Sequence, residues 1–168
     1  MAGSGLNCRL QGSALECVTH SADETRALAA KLAAWLAPGD IIALNGELGS
    51  DKTEFVHGLA AGLGVPAEVP VASPSFTLAH EYPGRLLLVH LDLYRLKDLP
   101  AELLPDLEEY LSGDGVLAVE WARRLAGLLP GEYLEVRLAI LGDLERQLTF
   151  VGHGRRGREL LAKLAGLS

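Results

Sequence analysis

Cysteine is scarce in this chain: Cys8 and Cys17 are the only two in 168 residues. Both lie near the N-terminus, at a spacing that matches no metal motif, and two do not make the framework of a small secreted domain. They are read as carrying neither a metal nor a disulfide scaffold. Positive charge is also in deficit. Lys and Arg number 15 against 22 Asp and Glu, a formal net charge of −7. That balance excludes a broad nucleic-acid-binding face, so a contact with tRNA or DNA must be local or lent by a partner. Long apolar runs are missing too, and none approaches the roughly 20 residues that span a bilayer. Met1–Gly5 lack the basic region and apolar core of a secretory signal. The expectation is a cytoplasmic chain with no membrane association. Internal repeats, linkers and low-complexity tracts are absent as well.

What is present is a globular composition, 49% hydrophobic and 22% charged. The length suits one domain with a real core. Residues 1–168 are read as that domain, with its core over about 15–152. Leu15 to Thr19 reads as the first strand. Ser21 and Glu24 form a capping box that opens a helix with Leu28, Leu32, Trp35 and Leu36 on one face, stopped at Pro38-Gly39. A second helix is predicted over Lys52 to Leu63, and a third, acidic one over Pro100 to Tyr110. Strands are predicted over Leu86 to Leu93 and Val116 to Val119. Tyr133–Leu141 and Arg146–Val151, joined by Gly142-Asp143, read as a hairpin, and 157–167 as a last helix. Alternating strands and helices predict a three-layer α/β domain around a mostly parallel sheet, with a C-terminal β-hairpin.

The chemistry concentrates in one loop. The apolar run Ile41–Leu44 feeds Gly46-Glu47-Leu48-Gly49-Ser50-Asp51-Lys52-Thr53, and a helix follows. Strand, glycine loop, Lys-Thr and helix is the layout of a phosphate-binding loop. There, backbone N–H groups cradle phosphates, the Lys reaches the β- and γ-phosphates, and the Thr hydroxyl holds Mg²⁺. Asp51 stands where the pattern has its last Gly. Gly serves there because the backbone comes close to phosphate and uses dihedrals closed to other residues. An Asp adds charge beside a polyanion. Two unit charges about 4 Å apart repel by roughly 1 kcal/mol in water and about 4 near a protein surface. Nucleotide affinity is therefore expected to fall roughly ten-fold to several hundred-fold.

Two buried strands end in acids, Asp92 after Leu86–Leu91 and Glu120 after Val116–Val119. NTPases place an acid beside Mg²⁺ in this way, and ligands gather at the carboxyl ends of strands in open α/β sheets. The alternative is that these strands simply end at charged residues. His90 shares the face of Asp92, and a hydrogen-bonded core histidine is favoured over a ligand. Arg95 is read equally as a phosphate donor or a surface ion pair. Trp121 is read as core packing in preference to a base platform. Ser73, Ser75 and Thr77 offer hydroxyls in a loop that can close over a γ-phosphate, or form an ordinary Ser-Pro turn. Arg155, Arg156 and Arg158 are read as a solvated helix start.

These pieces, in this order, resemble the bacterial TsaE (YjeE) ATPases of tRNA threonylcarbamoyladenosine synthesis. The resemblance rests on Gly46–Thr53, Ser73-Pro-Ser-Phe-Thr-Leu78, His90-Leu-Asp-Leu-Tyr-Arg-Leu96 and Val119-Glu-Trp121, and runs from about Ser21 to Gly152. It implies a P-loop NTPase-like fold, ATP and Mg²⁺ as cofactors, and slow hydrolysis by the isolated protein. It implies TsaB- and TsaD-like partners and only indirect contact with tRNA. By it, Lys52 and the loop amides hold phosphates, Thr53 and Glu120 hold Mg²⁺, and Asp92 positions water or metal. The Ser21–Thr25 region lies near the base. The departures are Asp51 for Gly, Glu54 for Thr or Ser, Glu47 for Asp and Ser75 for Thr. Three functions are weighed: an ATPase subunit, a non-enzymatic module weakened by Asp51, and a small-molecule kinase. The last lacks an Arg-rich lid near the loop.

Overall fold

The computed structural model describes residues 7–74, 78–125 and 127–166. The strands are β1 Asn7–Gln11, β2 Ala14–Thr19, β3 Ile41–Gly46, β4 Ala79–Tyr82, β5 Leu88–Asp92, β6 Val116–Glu120, β7 Tyr133–Ile140 and β8 Arg146–His153. The helices are α1 Ala22–Ala33, α2 Lys52–Gly62, α3 Leu104–Leu111 and α4 Gly154–Ala165, with short 3₁₀ turns at Ala101–Leu103 and Ala122–Leu125. The strands form one sheet in the order β1-β2-β8-β7-β3-β6-β5-β4.

The centre, β7-β3-β6-β5, runs parallel. Both flanks run antiparallel. The sheet as a whole is therefore mixed, which corrects the expectation of mostly parallel pairing. Connection length is the reason for every antiparallel pair but β2–β8. Only two residues join β1 to β2 and five each join β4 to β5 and β7 to β8, and connections that short can only turn a strand back on its neighbour. The predicted C-terminal hairpin is β7–β8.

Burial on both faces explains the apolar runs of the central strands. Ile42 and Leu44 pack toward α1, α2 and α4, among Leu28, Leu32, Phe55, Leu59 and Leu160. Ile41 and Ala43 point the other way, toward Leu91, Val119, Leu107 of α3 and Leu125. These two cores give the three layers expected from sequence. Phe55 of α2 and Phe150 of β8, both fully buried, meet with ring centroids 6.1 Å apart.

Local signals held in most places. The Ser21 hydroxyl accepts from the Glu24 N–H at 3.1 Å, while the Glu24 carboxylate reaches one residue past the cap, to the His20 N–H at 3.0 Å. Five readings need correction. α1 ends at Ala33, before Trp35 and Leu36, and not at Pro38-Gly39. β1 precedes the expected first strand, and Cys8 faces Cys17 across the β1–β2 ladder in a disulfide. The two cysteines lie symmetrically about the Gly12-Ser13 turn, which was not recognised as a hairpin. α4 begins at Gly154, three residues before its expected start. Its Arg156 is no solvated charge: it donates to Asp40 at 2.7 and 2.8 Å and to the Trp35 carbonyl.

α1 and α2 cross with almost no side chain between them. A Cβ added at Gly58 would lie 2.2 Å from the Arg26 carbonyl oxygen, and one at Gly62 would lie 2.6 Å from that of Ala30. In an exposed helix Ala is about 1 kcal/mol better than Gly. Here steric overlap should dominate, and Gly58→Ala is expected to destabilise the protein by about 1–3 kcal/mol. The urea midpoint checks this; a midpoint at or above the parent's would mean the helices do not approach so closely.

Candidate functional site

β3, β5 and β6 end side by side. Asp92 is the ladder partner of Glu120, and Glu120 that of Leu44, two residues before the end of β3 at Gly46. The register thus delivers both acids to the segment that leaves β3 and enters α2. A cavity of about 380 Å³ opens at this point, lined in part by Lys52, Thr53, Asp92, Glu120 and Trp121. Leu48, Gly49 and Asp51 line it too. The remaining loop residues, Gly46, Glu47 and Ser50, serve Lys52 instead. Its ammonium donates to the Gly46 carbonyl at 2.7 Å, the Glu47 carbonyl at 2.9 Å and the Ser50 hydroxyl at 3.5 Å. The turn is tight enough that a Cβ at Gly46 would sit 2.5 Å from the Ser50 hydroxyl and 2.6 Å from the Leu138 carbonyl.

Lys52 is buried, and burial pushes its pKa down against the pull of Glu120 and Asp92. Among the described residues no carboxylate stands within ion-pair distance of it. Its nitrogen lies 4.5 Å from the centroid of the Trp121 ring, a cation–π contact. The arrangement keeps one positive charge at the cavity, held by groups that a stronger anion can replace.

Glu120 gathers the neutral donors. The Thr53 hydroxyl lies 3.1 and 3.0 Å from its two oxygens, and the Ser73 hydroxyl 3.3 Å from Oε2. Thr53 and Ser73 are 2.7 Å apart. His90 Nε2 lies 2.5 Å from Glu120 Oε2, and the ring is fully buried. This is the hydrogen-bonded core histidine favoured from sequence. Asp92 accepts the Tyr94 N–H at 3.0 Å. Burial, and then the neighbouring Glu120, push the Asp92 carboxyl above its ordinary value. Hydroxyl and carboxylate oxygens so placed can hold a hard divalent cation.

Trp121 does more than fill the core. It lines the cavity, carries Lys52 on its ring, and packs 5.3 Å from Tyr94. Its φ of 61° is rare for a bulky residue. Strain of that kind costs of order 1–3 kcal/mol and concentrates at functional sites. Arg95 is exposed and does not line the cavity. Ser75 and Thr77 lie outside the described residues. Ser21–Thr25 do not line the cavity either: Ser21 caps α1, and Thr25 bonds Thr19 at 2.7 Å between hydroxyls.

Asp51 occupies the N-cap of α2 with φ 77° and ψ 27°, the left-handed conformation that glycine normally supplies. The backbone path is therefore the glycine-compatible one, adopted by a residue with a side chain. Burial pushes its carboxyl up, opposed by Arg146, whose Nε lies 3.6 Å from Oδ2. Glu54 bonds Arg26 of α1. Sequence reading missed Arg146, which stands 95 positions away at the start of β8 and leaves no periodic trace.

With this geometry in hand, comparison with known proteins is specific. A family model described as "Threonylcarbamoyl adenosine biosynthesis protein TsaE" matches residues 19–148. A Bacillus subtilis relative named tRNA threonylcarbamoyladenosine biosynthesis protein TsaE is 42% identical over 148 residues, covering 88% of this chain and 91% of the relative. One of the same name from Treponema pallidum is 38% identical, covering 80% and 98%. The crystal structure of Bacillus subtilis YdiB superposes with a TM-score of 0.76 at 36% identity, covering 94% of this chain and 98% of that one.

The raised Asp92 pKa has a stability consequence. The folded protein holds this proton more tightly than the unfolded chain, whose ordinary value is 3.8. Ionised Asp92 therefore burdens the fold once pH exceeds its folded pKa, and the burden is absent below 3.8. Asp92→Asn should raise the urea midpoint at neutral pH. The gain should shrink as pH falls through the raised value and vanish below the ordinary one. A gain independent of pH would show that the Asp92 charge is not its source.

Proposed function

The chain belongs to the TsaE family, and from that premise we propose that it is the ATP-binding, Mg²⁺-dependent ATPase subunit of an assembly that makes threonylcarbamoyladenosine in tRNA. The convergence of Lys52, Thr53, Asp92 and Glu120 on one cavity carries this reading. The residues fit the ligand. The Gly46–Thr53 loop has the tight turn of a phosphate cradle, and the hydrogen bonds of Lys52 run to neutral oxygens that phosphates can replace. Thr53 and Glu120 would supply oxygen ligands to Mg²⁺. Among the described residues no cluster of three acidic, histidine or cysteine ligands is available, which suits an ion shared between one or two carboxylates and nucleotide phosphates. Bound Mg²⁺ would supply charge neutralisation at the phosphates.

The protein's own contributions follow from position. Lys52 offsets phosphate charge. His90 and Ser73 orient the Glu120 carboxylate. Asp92, with a raised pKa, would position water or the metal. Trp121 forms one wall of the cavity beside Lys52. Partners resembling TsaB and TsaD act with it, and contact with tRNA runs through them, in keeping with the net charge of −7. Among the described residues no helix is long and apolar enough to cross a membrane. The place of action proposed is the cytoplasm. The rival reading, a non-enzymatic module, rests on Asp51 alone.

Titration with Mg·ATP, with hydrolysis measured alone and with partners, tests the proposal. Lys52→Ala should weaken binding roughly ten- to a hundred-fold, the range for a lost hydrogen bond to a charged group. Glu120→Gln and Asp92→Ala should slow turnover more than they weaken binding, with Glu120→Gln slowing it by about 10²–10³, as expected for a group acting on developing charge. Normal affinity in Lys52→Ala would remove the phosphate-loop assignment. Normal turnover in both acid variants would make those acids structural.

A further inference from the structure

Arg146 is a nearly buried cation with an unusual set of partners. Its Nη1 donates to the carbonyls of Gly142, Asp143 and Glu145, at 2.8, 3.3 and 2.9 Å, and so fills the β7–β8 turn. Its Nη2 donates to the Gly49 carbonyl at 3.2 Å. Its Nε makes no hydrogen bond and lies 3.6 Å from Asp51 Oδ2. Among the described residues Asp51 is the one carboxylate within ion-pair distance of it. A guanidinium so buried needs a counter-charge, and Asp51 supplies it. Conversely, Arg146 sits where Asp51 would otherwise present a bare negative charge to the cradle. The second acid at this end of α2, Glu54, is matched in the same way by Arg26. Each of these two acids is paired with an arginine from a different element.

We propose that Arg146 is a positioning residue for the 46–53 loop: its guanidinium neutralises Asp51 and ties the loop to the β7–β8 turn, so that the cradle takes a polyphosphate despite an acid at its last loop position. This rests on the ATP-binding reading above. The affinity loss expected from Asp51 by itself is thereby largely cancelled, and becomes visible only when Arg146 is removed.

The test is a double-mutant cycle read by calorimetric titration with Mg·ATP on the full chain. Arg146→Gln should lower affinity about ten-fold or more in the parent, the lower end of the uncompensated repulsion. In the Asp51→Gly background the same change should lower it less than about threefold, because no charge remains to neutralise. The difference should shrink at high salt. Equal losses in both backgrounds would overturn the proposal. Arg146→Lys keeps the charge and should hold affinity closer to the parent than Arg146→Gln does; a loss as large as that of Gln would also overturn it. If none of the proteins binds Mg·ATP, Asp51→Gly included, the ATP-binding reading fails by itself. The pairing is then judged by urea midpoints of the same four proteins: coupling between the two positions supports it, and additivity refutes it.

Discussion

Asp92 stands opposite Glu120, and Glu120 opposite Leu44, because β5, β6 and β3 run parallel and in one register. A shift of one residue in any of these strands would turn its terminal side chain to the other face of the sheet. Strands buried on both faces resist such a shift, since every residue would exchange one packed environment for another. The apolar runs Ile41–Leu44, Leu88–Leu91 and Val116–Val119 therefore do more than form a core. They fix two carboxylates, a lysine and a threonine around one cavity. The loop, α2 and the acids are each placed by reference to that register.

Much of this was legible in the chain, for identifiable reasons. Elements that announce themselves by apolar runs, such as β3 and α2, fell within a residue or two of their expected bounds, and the Ser21 cap placed the start of α1 although not its end. The site residues were legible because each lies at the end of such an element. What escaped was structure without a hydrophobic signature. β1 is almost wholly exposed and is held by its ladder and a disulfide, so no periodicity marks it. The antiparallel pairs of the flanks other than β2–β8 follow from connection lengths, which a strand-by-strand reading does not weigh. Trp121 looked like core because an aromatic after a buried strand usually is; only its backbone angle and its place over Lys52 reveal the second role. Arg146 acts across the fold, and its partner Asp51 looked isolated only because the chain distance hides the pairing.

Asp51 separates two requirements that a glycine satisfies together. One is conformational: the backbone must adopt φ near 77°. Asp is among the residues that tolerate this region best. The other is electrostatic, and the fold meets it with an arginine from elsewhere. The loop thereby keeps its path and its charge balance without the glycine, at the expense of dependence on the β7–β8 turn.

The seam between α1 and α2 carries a mechanical implication. With Gly58 and Gly62 pressed against the backbone of α1, the seam at these positions is filled by backbone and by the methyl groups of Ala29 and Ala33. α2 starts at Lys52, in the loop itself. A displacement of the loop end of α2 is then opposed by its seam with α1, along a helix of about 16 Å at 1.5 Å per residue.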